Sequence, residues 1–138
     1  MGGIVKKKKA GGYNPEVELA KGAKLEAASY DKTQKIVVVA GKVTVGGIAG
    51  LLEISGTATG RHDASIDGCL GIWLSIFRYM RPDGTIDHVA GLNIMAETAA
   101  GQTPDVTAKS FAVKINASGR PYRATAKGAR LEIVFAIK

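Results

Sequence analysis

The sequence predicts an all-β fold, either an antiparallel sandwich or a jelly-roll-like barrel of about eight to ten short strands, with a flexible basic N-terminal arm. Runs rich in valine, isoleucine and threonine follow one another from residue 34 to the end of the chain. Clusters of glycine, aspartate, asparagine or proline separate these runs, and 18 of the 138 residues are glycine. This close alternation of runs and turns disfavours a parallel sheet with crossover helices.

The length of the chain fits one domain that needs neither a disulfide nor a metal ion to hold its core together. We divide the sequence into a flexible glycine- and lysine-rich arm, residues 1–12, and a single β domain, residues 13–138. The one cysteine, Cys69, stands at the start of the longest apolar run, which predicts a buried, unreactive thiol. A single cysteine also argues against a disulfide-stapled secreted domain.

Residues 15–30 carry two conflicting signals. Pro15, preceded by an asparagine and followed by a glutamate, is typical of a helix start. Gly22 interrupts that segment, however, and apolar residues alternate with charged ones on either side of it. The alternation favours a hairpin of two short strands about Lys21 and Gly22, with the helix as the alternative.

From residue 35 the strand pattern is clearer. The runs 35–40 and 42–45 are separated by Gly41 alone, and their closeness predicts that they pair as a hairpin. A further strand is expected over 51–59, followed by a polar loop over 60–68.

Residues 70–79 are almost all apolar, which is typical of a strand buried on both faces. Pro82-Asp83-Gly84 supplies a fixed φ and then a residue that accepts positive φ, so it predicts a tight turn. The turn joins strand 70–80 to strand 85–96 in a hairpin. Trp73, Phe77 and Phe135 lie in apolar runs and are expected in the core.

The last third of the chain continues the pattern. Residues 96–101 suit a single helical turn, and the alternation over 106–115 predicts another strand. After a turn over 116–121, two final strands are expected over 122–126 and 129–137. The second of them places one apolar face on the core, formed by Leu131, Ile133, Phe135 and Ile137.

The residues that could perform catalysis are not arranged for it. Asp87 and His88 are neighbours on a predicted strand, where adjacent side chains point to opposite faces. His62 and Asp63 lie in the polar loop, and Ser65 and Ser75 lack a Gly-x-Ser-x-Gly context. One cysteine and two separated histidines do not match a zinc site. We therefore expect a protein that is not an enzyme and has no cofactor, metal or small-molecule substrate.

The positive charge is concentrated at the N-terminus. The chain carries a net charge of +7, and residues 1–42 hold nine lysines against four acidic residues. Lys6, Lys7, Lys8 and Lys9 are the candidate partner-binding residues, since adjacent lysines attract phosphates or an acidic protein surface. The other interpretation of this arm is a solvated end that serves solubility.

The chain lacks the features of membrane or secreted proteins. No run approaches the roughly 18 to 20 apolar residues that cross a bilayer. The lysines at 6–9 are not followed by the apolar stretch of a secretory signal. We therefore expect that the protein is synthesised in the cytoplasm and does not associate with a membrane.

In its arm 1–12, its dense strands 34–59 and 70–95 and its closing strand 129–137, the chain resembles the small capsid decoration, or cement, proteins of tailed phages. The resemblance implies a virion structural protein, often a jelly roll, that is synthesised in the host cytoplasm and clamps neighbouring subunits of the major capsid protein. It also implies a dimer or trimer that binds through strand edges and loops. Other particle components, such as a small coat or tail-tube subunit, share this style.

The alternative function is a nucleic-acid-binding β-barrel that uses the basic arm and the arginines as phosphate contacts. The position of the arginines on the strands decides between the two. A groove requires Arg120, Arg123 and Arg130 to share one face with Tyr122. The six arginines are Arg61, Arg78, Arg81, Arg120, Arg123 and Arg130.

Overall fold

The computed structural model describes residues 19–20, 22–75, 78–80, 83–87 and 91–136. They form two antiparallel four-stranded sheets, a small third sheet and one helix. The early strands are β1 (Leu19–Ala20), β2 (Gly22–Tyr30), β3 (Lys35–Ala40), β4 (Lys42–Thr44) and β5 (Gly50–Ser55). The later elements are β6 (Cys69–Ser75), β7 (Arg78–Met80), β8 (Ile86–Asp87), β9 (Leu92–Glu97), α1 (Pro104–Asn116), β10 (Tyr122–Lys127) and β11 (Arg130–Phe135).

The architecture is a sandwich, which confirms the predicted fold class. The first sheet has the strand order β10-β11-β5-β3, the second β4-β2-β6-β9 and the third β1-β7-β8. In the described part of the chain the two large sheets stay separate, so the barrel alternative is wrong. Alternate residues of each sheet fill the space between them. The largest of these fully buried residues include Val43, Leu52, Leu70, Ile72, Leu131 and Ile133.

From β2 to β5 the chain alternates between the two large sheets. The predicted hairpin of 35–40 with 42–45 is wrong, because β3 pairs with β5 in the first sheet while β4 pairs with β2 in the second. β3 and β4 are thus one bent stretch of chain that passes between the sheets at Gly41. There the Leu25 N–H donates to the Gly41 carbonyl at 2.9 Å.

The start of the described chain also differs from expectation. β1 pairs in parallel with β7 and β2 pairs with β4 and β6, so the predicted hairpin about Lys21 and Gly22 is wrong. The partner of β1 lies more than fifty positions away along the chain, and a local pattern cannot reveal it. Residues 15–18 and Lys21 lie outside the described residues.

The predicted hairpin of residues 70–96 is confirmed. β6 pairs antiparallel with β9, and β7 pairs antiparallel with β8. Both pairs keep the same register, in which Trp73 faces Asn93 and Tyr79 faces Asp87. At the turn, Asp83 Oδ1 accepts a hydrogen bond from the Thr85 N–H at 2.9 Å, and Gly84 has a φ of 89°. The closing pair of strands, β10 and β11, is confirmed as well.

The predicted strand over 106–115 is wrong, because this segment is the helix α1. Ala108, Phe111 and Ile115 are fully buried at a spacing of three and four residues, which is the period of a helix face. Pro104 occupies the first turn, and the Thr103 hydroxyl donates to Asp105 Oδ1 at 2.5 Å. The expected helical turn over 96–101 is wrong too, since β9 continues to Glu97 and a tight turn follows. No helix among the described residues has the length and apolarity needed to cross a bilayer.

Candidate binding face

The outer face of the second sheet carries the most distinctive surface of the described chain. β6 was expected to be buried on both faces, and this is wrong: Leu70, Ile72 and Leu74 face the core, but Trp73 lies partly exposed on the other side. Side chains alternate along a strand, so the single tryptophan falls on the outer face with its register neighbours Glu26 and Asn93.

A cross-strand hydrogen bond fixes the Trp73 ring. Its Nε1–H donates to Glu26 Oε1 at 3.0 Å, and the Lys24 ammonium lies 3.7 Å from Glu26 Oε2. Because the polar N–H of the indole is already satisfied, the rest of the ring is available for apolar contact. The same bond restricts the rotamers of Trp73.

Met95 covers the gap that a glycine leaves beside the tryptophan. A Cβ atom placed on Gly71 would lie 2.7 Å from Met95 Sδ and 3.6 Å from Trp73 Cζ3. The thioether therefore lies across the backbone of Gly71, close to the indole. Met95 is nonetheless 47% exposed, and a flexible thioether can adapt its shape to an incoming surface.

Tyr30 stands at the end of β2 on the same face. Its ring meets the His62 ring edge to face, with 5.8 Å between centroids and 84° between planes. Tyr30 is 38% exposed, so the face presents a second aromatic ring to solvent.

These residues border an open groove with a volume of about 840 Å³. Tyr30, Trp73, Asn93 and Met95 line it from the sheet, and Arg120 lines it from the loop that follows α1. Arg120 is exposed and forms no ion pair with any other residue of the described ranges. Tryptophan, tyrosine, methionine and arginine are the residue types enriched at the centres of protein interfaces.

Among the described arginines, Arg120, Arg123 and Arg130 do not share an exposed face with Tyr122. Tyr122 is buried at 2% exposure and packs against Phe135 with 4.7 Å between ring centroids, whereas the adjacent Arg123 points outward. Arg130 pairs with Glu53 at 2.8 Å on the outer face of the first sheet. Seven further residues lie outside the described ranges: Lys6, Lys7, Lys8, Lys9, Phe77, Arg81 and His88. For Arg78 the structure describes only the backbone, which belongs to β7.

The loop pair His62 and Asp63 is not arranged as a catalytic base and its carboxylate. Asp63 Oδ1 accepts hydrogen bonds from the Ser65 N–H at 2.8 Å and the Ile66 N–H at 3.0 Å. The bond from Ser65 is the main cause that lowers the pKa of Asp63, with the charge of His62 a minor one. The carboxylate therefore stabilises the local turn. No group of three or more histidine, cysteine or acidic residues within the described ranges could hold a metal ion.

Cys69 is less buried than the sequence suggests. It is half-buried on the outer face of β6, and burial together with the nearby Glu97 raises its pKa. A raised pKa keeps the group as a thiol, which reacts poorly.

Asp31, which no catalytic or binding motif in the sequence singles out, is a buried carboxylate held by several hydrogen bonds. It is 2% exposed, and its carboxylate accepts five hydrogen bonds at up to 3.1 Å. Burial opposes its ionisation, but backbone hydrogen bonds, chiefly from Gln34 and Thr33, hold the pKa of Asp31 well below its ordinary value. The donors are the N–H groups of Thr33, Gln34, Thr59 and Gly60, and the hydroxyl of Thr98.

A buried amide continues this polar network to the helix. Gln34 Nε2 donates to the carbonyls of Gly56 and Gln102 at 3.0 and 3.1 Å, and its Oε1 accepts from the Thr107 hydroxyl at 2.6 Å. Together, Asp31 and Gln34 join four segments and keep both sheets and α1 in place. The one signal in the sequence is the Asp-x-Thr spacing of residues 31–33, which is typical of a turn that an aspartate caps.

The described arrangement is thus a sandwich whose second sheet exposes two aromatic rings and a thioether, with a guanidinium group across the groove. Groups of these types contact other surfaces through packing and charge. No protein-family model, curated protein or solved structure matches this chain.

Proposed function

We propose that the chain is a structural protein of a viral particle, in which it binds neighbouring capsid subunits and stabilises their contacts in a decoration, or cement, role. The observation that carries this proposal is the outer face of the second sheet. There Trp73, Met95 and Arg120 surround one open groove and reproduce the composition of an interface centre.

The stiffness of the scaffold supports a clamping role. Trp73 and Met95 stand on paired strands, and the buried Asp31 carboxylate holds Thr98, the residue that follows β9. A surface that is preorganised in this way loses little conformational freedom on binding, so more of its contact energy remains as affinity.

The charge of the chain supports an acidic partner. A protein with a net charge of +7 is attracted to a negatively charged surface and approaches it faster. We propose that Lys6, Lys7, Lys8 and Lys9 add a second, salt-sensitive contact to the capsid. In this proposal, two or three copies of the chain assemble on the particle and repeat the contact by symmetry.

The first experiment is density-gradient sedimentation of the protein from its native source, with and without nuclease. Migration with large, nuclease-resistant particles is the expected result. Slow migration that shifts on nuclease treatment would support the nucleic-acid-binding alternative, and a small species indifferent to nuclease would overturn both functions.

The second experiment tests the face itself by rebinding purified protein to particles from which it has been stripped. We expect Trp73→Ala to weaken rebinding at least about tenfold, as truncation of a central interface tryptophan does. Val113→Ala is the matched control, because Val113 is an apolar side chain on α1 that is 68% exposed. Thermal melting of both variants separates a loss of contact from a loss of fold. Equal rebinding by the two folded variants would remove the face from the proposal.

A further inference from the structure

The strand β9 forms an outer edge of the second sheet. Its six residues pair with β6, and no other described strand lies on its far side. In an antiparallel pair, alternate residues direct their N–H and C=O groups to the partner strand, and the residues between them direct these groups away. One side of β9 therefore carries a row of backbone donors and acceptors.

The register shows which residues form this row. The Thr98 N–H donates to the Gly68 carbonyl at 3.0 Å and continues the ladder of β9 with β6 by one position. Every second residue before Thr98 therefore directs its backbone N–H and C=O groups to β6; these residues are Leu92, Ile94 and Ala96. The N–H and C=O groups of Asn93, Met95 and Glu97 point the other way, and within the described ranges no hydrogen bond reaches them.

The groove on the outer face of the second sheet reaches this edge. Asn93 and Met95 line it from the strand, while Ser118 and Arg120 line it from the loop after α1. Arg120 lines the groove together with Leu92 and Asn93, the first residues of β9, and Glu97 is the last residue of the strand. Arg120 thus offers a positive charge to a segment bound beside β9, whereas Glu97 repels a carboxylate at the end of the strand.

We propose that β9 takes up an extended, acidic segment of a partner protein as an additional strand, with a carboxylate of that segment paired to Arg120. Alternating donors and acceptors match the backbone of an extended chain, and this mode of peptide recognition uses them as its main source of affinity. The inference rests on the proposed function, in which the partner is a capsid subunit. A second copy of this chain is disfavoured as the added strand, because each copy carries a net charge of +7.

Amide hydrogen exchange measured by NMR tests the inference directly. In the free protein we expect slow exchange at Leu92, Ile94 and Ala96 and fast exchange at Met95 and Glu97. The probe is a soluble eight-residue peptide of alternating threonine and valine with a central glutamate. Bound peptide should slow exchange at Met95 and Glu97 at least about tenfold, since a new ladder bond must open first. Protection confined to other residues would overturn the inference.

Two variants at one position separate the backbone from the side chain. Met95→Pro removes an N–H that points away from β6, which an edge strand tolerates, whereas Met95→Ala removes the same side chain and keeps the N–H. We expect Met95→Pro to bind the peptide at least about tenfold more weakly than Met95→Ala, with equal thermal stability. Equal binding by the two variants contradicts strand addition. If Met95→Pro fails to fold, Asn93→Pro and Asn93→Ala provide the same comparison.

Arg120→Gln tests the charge. This variant should lose affinity for the glutamate peptide and bind a glutamine peptide as well as the wild type does. Dimerisation that Met95→Pro abolishes would replace the acidic partner with a second copy and overturn the inference. Normal binding of Met95→Pro to particles would overturn strand addition and leave the proposed function standing. If the protein binds the peptide but never associates with particles, strand addition stands and the proposed function is overturned.

Discussion

The Thr98 hydroxyl donates a hydrogen bond to the buried Asp31 carboxylate at 2.7 Å, across 67 positions of the chain. The bond joins the turn between β2 and β3 to the residue that follows β9. The other carboxylate oxygen accepts from the Thr59 N–H at 3.1 Å, so the segment after β5 meets the same side chain. The ionised Asp31 carboxylate thus joins three loops that lie far apart in the sequence: the turn after β2, the segment after β5 and the residue after β9.

Asp31→Asn should lower the free energy of unfolding by about 2 to 3 kcal/mol, because an amide nitrogen would face backbone N–H donors that need an acceptor. Urea denaturation gives this value. Asp67→Asn is the matched control, since the Asp67 side chain is 88% exposed and pairs with Arg61 at the surface. A much smaller change is expected there, and equal losses in the two variants would contradict the role assigned to Asp31.

The stability of the protein should fall on acidification, and Asp31 should account for part of the fall. Its pKa in the folded state lies below the ordinary value of 3.8. Its stabilising contribution is therefore complete above that value and is lost as the pH falls toward the folded pKa, where the unfolded chain binds a proton first. Urea midpoints between about pH 6 and pH 2 measure this slope, and Asp31→Asn should flatten it. An unchanged slope in the variant would refute the assignment.

Gly84→Val should destabilise the protein by about 1 kcal/mol or more. Gly84 has a φ of 89°, which a β-branched residue resists, and a Cβ there would meet no atom within 4 Å. The cost therefore comes from the backbone alone. Gly84→Asn, which accepts positive φ more easily, should cost less. An unaltered midpoint for Gly84→Val in chemical denaturation would be inconsistent with the turn.

Phe111→Ala should destabilise the protein by about 3 to 5 kcal/mol, because Phe111 is fully buried where α1 packs against the core. Val113→Ala, two residues along the helix and exposed, should have little effect. If residues 106–115 formed a strand, positions 111 and 113 would share a face and the two variants would behave alike. Denaturation of both variants decides between helix and strand.

Deletion of residues 1–12 should leave the melting temperature unchanged, since the segment is rich in lysine and glycine and has few apolar side chains to add to a core. Association with particles should weaken and lose part of its salt dependence, because Lys6, Lys7, Lys8 and Lys9 are removed. Cosedimentation at low and high salt measures both effects. A large drop in melting temperature would show instead that the arm belongs to the fold.

Sequence alone predicted the elements whose signals are local. The hairpin about Gly84 and the closing pair of strands follow from turn residues between two strand-forming runs. β3 and β4 were paired wrongly because the true partners, β5 and β2, lie on either side of them in the chain. In α1, alternating apolar residues imitate a strand, while Phe111 and Ile115 also fit the helical period.

The candidate site was harder to predict for two reasons. Trp73 stands in an apolar run that hides the difference between the two faces of β6, so it was assigned to the core. Arg120 joins Trp73 and Met95 only through the return of the chain along α1. Asp31 finds its donors up to 67 positions away, and the Asp-x-Thr spacing of residues 31–33 indicates only its local turn.

The bend at Gly41 leaves the two large sheets with a length of backbone in common. β3 cannot leave the first sheet without pulling on β4 in the second, and the reverse holds as well. We therefore expect the two sheets to lose their structure together, so that the sandwich unfolds in a single cooperative step. A force applied to one face of the protein passes along this shared backbone to the opposite face.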